Sequence, residues 1–278
     1  MSRLQIPQDL PIFQQEGEQI VPTGLATGPW YPGTQHGSAM MLMAALAAEQ
    51  LPSEEPRQVT RLTVDMMSAA PLAPIKLKTD IRKGGRNLEA LDISIVSDER
   101  EYVRASALRF RLADVPVPQR LKCDGNTPSL PKPLHKSFFE QIEHKEGFHQ
   151  TIEIRIDLKA QPMVMWFRLK QPVLQGRPVT PLQRVALASD WTYSVPSFSH
   201  RILTGEPFDA TPFYGINPDT TINLHRQAEG EWVGIQTHAS YSDLGAGTVM
   251  GQIFDEKGAV GFSTQSILVR KREPAAKT

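Results

Sequence analysis

Asp190 is the residue whose position asks first for a chemical reason. It ends the helical face of the segment PVTPLQRVALASDWTYS, which runs from Pro178 to Ser194. Thr180 can cap a helix there, and Pro181 suits the first helical position, where a missing N–H costs nothing. Leu182, Val185, Ala186 and Ser189 return at helical spacing, so one face of that helix is predicted to be buried. An acid in the last turn sits at the unfavourable end of the helix dipole. Such a carboxylate can serve as a general base, helped by partial burial beside Trp191. The plain alternative is an ordinary acid at a frayed helix end.

Other reactive residue types offer less. The single cysteine, Cys123, sits in the loop-like stretch LKCDGNTPSLP, and one cysteine forms neither an intrachain disulfide nor a thiolate metal cluster. His225 and His238 fall on what read as adjacent strands, but no third ligand stands at telling spacing, so no metal is expected. GAGTVMG, 245–251, lacks the full G-x-G-x-x-G fingerprint and enters a predicted strand, so it reads as a turn and no cofactor is expected. No serine occupies a G-x-S-x-G elbow, which argues against the common esterase mechanism.

The elements that must position Asp190 come in a repeated order. Gly28 to Gly33 reads as a tight turn region, and His36 and Gly37 lead into a helix from Ser38 to Gln50. That helix is apolar on nearly every face, so it is predicted to be buried on most sides, and it is too short to span a bilayer. Period-two alternation follows in RLTVDMM, around Ile75 to Thr79, in NLEALDISIVSD and in EYVRASALRFR, which predicts four antiparallel strands. Prolines then crowd Ala113 to Glu143, with a further helical turn or two expected in HKSFFEQIEH. The pattern restarts with TIEIRIDLK and MVMWFRLK, then the Thr180 helix. A long loop from Ser194 to Tyr214 follows, read as a lid or entrance wall. Four more strands lie in DTTINLHR, EWVGIQTHAS, GTVMGQIFDE and GAVGFSTQSILVR. SDEREYVRASALRF echoes FDEKGAVGFSTQSILVR, and both halves order a buried helix before four strands, as an internal duplication would.

Composition bounds the function classes. The 278 residues are 40% hydrophobic and 22% charged, ordinary for a globular protein. Thirty Lys plus Arg balance thirty Asp plus Glu, so no large electrostatic footprint for nucleic acid is expected. No apolar run approaches a membrane span, and the N-terminus lacks the apolar core of a signal peptide, which makes a cytoplasmic location the expectation.

These pieces, in this order and spacing, resemble the double-hotdog acyl-CoA thioesterases of the TesB-like branch. The matching stretches are VPT, GPW, HG, RLTVDMMSAAPLAP and GGR in the first half. In the second half they are WFRL, PLQRVALASD, INPDTTINLHR, EW, DEKGAVG and STQSILVR. The resemblance implies an α+β double hotdog. It would have two tandem units, each a long central helix wrapped by a curved antiparallel β-sheet, over residues 1–117 and 145–278, joined by a linker at 118–144. It implies hydrolysis of acyl-CoA or a related thioester. In such enzymes a carboxylate, a glutamine and a hydroxyl residue hold the attacking water. The carboxylate carries over to Asp190 and the glutamine to Gln265. The hydroxyl position falls on Asn217, a departure, because an amide cannot relay a proton as a hydroxyl can. Thr220 or Thr221 lies close enough in sequence to substitute.

On that footing Asp190 takes one water proton, the Gln265 carbonyl takes the other, and Asn217 or Thr220 completes the cage. Backbone N–H groups at His36, Gly37 and Ser38 would meet the oxyanion. Trp191 would line the pocket, and Arg184, Arg201 and Arg226 are the candidates for meeting CoA phosphates, each with the alternative of a plain surface charge. Two rivals stay open at this point. One is an enoyl- or hydroxyacyl-thioester hydratase or dehydratase of the same fold, which an Asp190–His36 pairing would favour. The other is a non-catalytic acyl-thioester-binding protein. A homo-oligomer is also left open.

Overall fold

The computed structural model describes residues 6–122, 127–133, 145–205 and 212–272 of the 278-residue chain. Cys123 and the stretch HKSFFEQIEH lie outside the described residues. A short hairpin, β1 (Phe13–Glu16) and β2 (Gln19–Pro22), opens the chain, with Gly17 at φ +59° making its turn. Helix α1 (Gly37–Glu49) follows. Every residue from Ser38 to Ala48 is buried, as a run of alanine, methionine and leucine with no polar face requires.

Four antiparallel strands come next: β3 (Arg57–Met66), β4 (Lys76–Lys83), β5 (Leu88–Ser97) and β6 (Arg100–Arg111). The second part supplies β7 (Ile152–Asp157), β8 (Val164–Leu169), α2 (Pro181–Asp190), α3 (Ser194–Thr204), β9 (Phe213–Ile216), β10 (Asp219–Leu224), β11 (Trp232–Tyr241), β12 (Ala246–Asp255) and β13 (Gly258–Lys271). Ten strands form one sheet in the order β4-β5-β6-β3-β10-β13-β12-β11-β8-β7, and β9 pairs with β13. The seam is β3 against β10, antiparallel, with Thr63 opposite Thr221 and Val64 opposite Thr220. Each open edge that β3 or β10 would otherwise present is thereby satisfied.

The helices pack on this sheet, α1 against β3 to β6 and α2 against β8, β10, β11 and β12. They also pack on each other, start to end. Ser38 at the start of α1 meets Asp190 at the end of α2, and Thr180 before α2 meets Glu49 at the end of α1. The two helices are therefore antiparallel, and their meeting faces are the middle of the core.

Two sequence expectations change here. The stretch read as a loop from Ser194 to Tyr214 is helical as far as Thr204. Pro196 does not prevent this, because it falls in the first turn, where its missing N–H would have had no partner. Val195 is buried and Phe198 packs on the core. His225 and His238, read on adjacent strands, are kept apart: His225 follows β10 and His238 lies on β11, with β13 and β12 between them.

Candidate active site

The start of α1 is built to stay open. His36 is its N-cap, with extended backbone, and its Nδ1 accepts the Ser38 N–H at 3.0 Å. A neutral ring that accepts at Nδ1 carries its proton on Nε2. Gly37 is the first helical residue, and its N–H has no partner among the described residues. It faces Asp190: a Cβ placed on Gly37 would come 3.2 and 3.3 Å from the two carboxylate oxygens. Ser38, fully buried, donates its hydroxyl to Asp190 Oδ2 at 2.6 Å.

The end of α2 is fixed from several sides. Thr180 and Gln183 form a reciprocal capping box, with Pro181 at the first position, and these set where the helix begins. Asp190 is the last residue, its side chain 8% exposed. Besides Ser38, Asp190 receives Asn217 Nδ2 on Oδ1 at 3.3 Å. His36 Nδ1 lies 3.8 Å from Oδ2, but that nitrogen is already committed to the Ser38 N–H. Burial pushes His36 below its ordinary pKa; Asp190 opposes that shift and His149 adds to it. The imidazole also lies in an aromatic column, stacked on Phe148 at 4.7 Å and on Trp191 at 5.9 Å, with Phe198 beyond Trp191 at 6.3 Å.

Gln265 lies close by, yet its amide is spent on protein partners. Its Oε1 accepts the Tyr193 N–H at 2.7 Å. Its Nε2 donates to Thr220 Oγ1 at 2.8 Å and to the Asp190 and Ser189 carbonyls at 3.1 and 3.2 Å. Gln265 and Thr220 are both buried. The expected water-holding set therefore divides in two. Asp190 and Asn217 share one cluster with His36, Gly37 and Ser38, while Gln265 and Thr220 form a second that clamps the end of α2. The Asp190 residue joins them, giving its carboxylate to the first and its carbonyl to the second. Sequence reading missed the bonds from the Ser38 hydroxyl to Asp190 and from the Tyr193 N–H to Gln265, because neither follows from local pattern.

The three expected phosphate-binding arginines do not gather here. Arg226 makes a two-pronged ion pair with the fully buried Asp255 and so staples β10 to the β12–β13 turn. Arg184 lies six residues before Asp190, about 9 Å back along α2 and on another face. The side chain of Arg201 lies outside the described residues. Among the described residues no group of three metal-ligating side chains occurs, and no helix is long and apolar enough to cross a membrane.

Comparison with known proteins bears on this arrangement. Residues 26–110 match the acyl-CoA thioesterase N-terminal domain family, and residues 118–269 match the acyl-CoA thioesterase C-terminal domain family. Comparison with curated proteins gave no match. Among solved structures, a TesB protein of Mycobacterium avium subs paratuberculosis superposes with a TM-score of 0.64 at 18% identity, covering 93% of this chain and 95% of that one. Acyl-CoA thioesterase II TesB2 of Mycobacterium marinum gives 0.64 at 15% identity, covering 95% and 96%. A hot dog fold protein of unknown function from Alicyclobacillus acidocaldarius gives 0.63 at 14% identity, covering 95% and 96%. These likenesses establish the hotdog fold, and the two domain matches, which together span most of the chain, establish that it belongs to the acyl-CoA thioesterase family, enzymes that hydrolyse thioesters.

Proposed function

We propose that the protein hydrolyses an acyl-CoA thioester by direct attack of water, with Asp190 as general base. The observation that carries this reading is the meeting of the Asp190 carboxylate with the open start of α1, where Gly37 offers an unpartnered N–H and no side chain. A water on Asp190 gives it a proton as its oxygen adds to the thioester carbonyl carbon. The carbonyl oxygen becomes negative and is met by the Gly37 N–H at the positive end of the helix. The C–S bond then breaks, and the proton held by Asp190 passes to the departing thiolate. Asn217 and Ser38 keep the carboxylate in place.

Gln265 contributes by position in this scheme. With its carbonyl on Tyr193 and its amide on Thr220, it fixes the last carbonyls of α2 and so the reach of Asp190. Residues 1–117 and 145–278 are two hotdog units on this reading, linked by 118–144. Each is built on one central helix, with the site between the first helix's start and the second's end. Helix α2, ten residues long, is the shorter of the two. A cytoplasmic location and the absence of any cofactor belong to the same proposal.

A panel of acyl-CoA chain lengths with free-thiol detection, run in heavy-oxygen water, tests it. Thiol release with label in the acid supports water attack; no thiol from any member of the panel sinks the reading. A hydratase or dehydratase reading draws on one observation, the 3.8 Å approach of His36 to Asp190. It is weakened by the commitment of His36 Nδ1 to the helix cap, and change in an enoyl-thioester absorbance without thiol release would favour it.

A further inference from the structure

A second polar site lies away from Asp190, where the segment leading from β8 to α2 crosses the N-terminal stretch. It is a depression of about 370 Å³ lined by Gln8, Lys170, Gln171, Arg177, Arg184 and Glu231, among others. That is within the range of small-molecule sites. Arg177 and Arg184 have no side-chain hydrogen bond or ion pair among the described residues, and Arg184 Nη1 is buried without a partner. An isolated guanidinium nitrogen out of water is costly unless something anionic meets it. Gln171 is 5% exposed; its Nε2 donates to the Pro7 carbonyl, while its Oε1 is buried and unpartnered. The lone acid of the lining, Glu231, already pairs with Arg168 and is mostly exposed.

From these features we infer a binding site for a phosphate-bearing nucleotide, with Arg177 and Arg184 on the phosphate and Gln171 Oε1 accepting from an N–H or O–H of the same ligand. Guanidiniums suit phosphate because their planar donors meet two oxygens at once. The ligand is either the phosphoadenosine end of a CoA thioester, which rests on the hydrolase reading, or a free adenine nucleotide, which does not.

Titration calorimetry of the full chain with adenosine 3′,5′-bisphosphate, with ADP and with inorganic phosphate tests the site. At least one nucleotide is expected to bind, and Arg184→Gln is expected to weaken it about tenfold. Arg177 is exposed, so Arg177→Glu should leave folding intact while reversing the local charge. The same variant separates the two sources. A raised KM for acyl-CoA, with hydrolysis of the matching N-acetylcysteamine thioester unchanged, identifies the CoA end. Lost nucleotide binding with an unchanged KM for acyl-CoA identifies a free nucleotide. The proposal is overturned if no nucleotide binds and the KM is unmoved, or if binding occurs and survives both substitutions. Hydrolysis of the N-acetylcysteamine thioester by the unaltered chain reads the catalytic proposal separately.

Discussion

The antiparallel helix pair has two ends that share a joint and differ in everything around it. At one end Ser38 Oγ donates to Asp190 Oδ2 at 2.6 Å; at the other Thr180 Oγ1 donates to Glu49 Oε2 at 2.6 Å. Each is a hydroxyl from the beginning of one helix on a carboxylate from the end of the other. The hydroxyl–carboxylate bond is therefore part of how the helices dock, and by itself it says nothing about catalysis. The first helical residue separates the ends. Gly37 keeps a backbone N–H and places no side chain against the carboxylate, whereas Pro181 has no N–H to offer. At the Glu49 end the enclosed space is about 20 Å³, room for roughly one water. Chemistry follows from what surrounds the joint.

Removing the base should break this contrast most severely. Asp190→Asn is expected to lower kcat for a mid-chain acyl-CoA by about 10²-fold or more. Glu49→Gln, which changes the matching carboxylate, should stay within about threefold of the unaltered enzyme. Equal losses, read by thiol release, would mean that both substitutions act through helix docking. Next comes the open approach. Gly37→Ala sets a methyl against the Asp190 carboxylate and should cost about tenfold or more in kcat, even though alanine favours the helix. Pro181→Ala should leave kcat within about twofold, since nothing is asked to enter there.

Gln265→Ala sharpens the comparison through stability. It strands the Tyr193 N–H and the Thr220 hydroxyl in the interior and should cost about 1–3 kcal/mol in denaturant unfolding. A kcat that falls in step with the disordering of α2, and recovers with Gln265→Glu only where the fold recovers, fits a positioning residue. A normal melting curve with lost activity would return Gln265 to direct contact with water.

The smallest expected effects are those of pH. Burial lowers the His36 pKa from 6.5, so the unfolded chain binds more protons there than the folded one. Its contribution to stability is whole above that value and declines as pH falls through 6.5 toward the folded pKa. At the other end burial raises the Glu49 pKa from 4.5, with the Thr180 hydroxyl and Arg109 opposing. Here the folded chain binds more protons, and stability declines as pH rises from 4.5 toward the folded value. His36→Asn, which retains an N-cap, should flatten the acid slope of the melting temperature, and Glu49→Gln should flatten the other; parallel pH curves for all three proteins would contradict both assignments.

Much of this arrangement could be read in the chain because its causes are local. The Thr180–Gln183 capping box and Pro181 fix the start of α2 within four residues, and the helical run of Leu182, Val185, Ala186 and Ser189 carries it to Asp190. The all-apolar run after Gly37 has no destination except the core. What could not be read depends on distant meetings. Ser38 and Asp190 are 152 positions apart, and no periodicity encodes their bond. Arg226 looked like a free surface charge because its partner, Asp255, lies across the β12–β13 turn. The stretch that forms α3 reads as part of a long loop, because its helix depends on Val195 and Phe198 meeting a core built by distant strands. Gln265 was found by resemblance, but its bonding could be known only once β13 was laid beside α2.

The seam between β3 and β10 carries a practical corollary. Because one continuous sheet runs through it, a fragment ending before the second part would expose β3 as a bare edge and lose the carboxylate its own helix start faces. The complementary fragment would keep Asp190 and lose Gly37. Two co-expressed fragments would have to recover activity by zipping those strands and docking the two helices together, so split-protein complementation across residues 118–144 would report on the combined strength of that ladder and the helix pair.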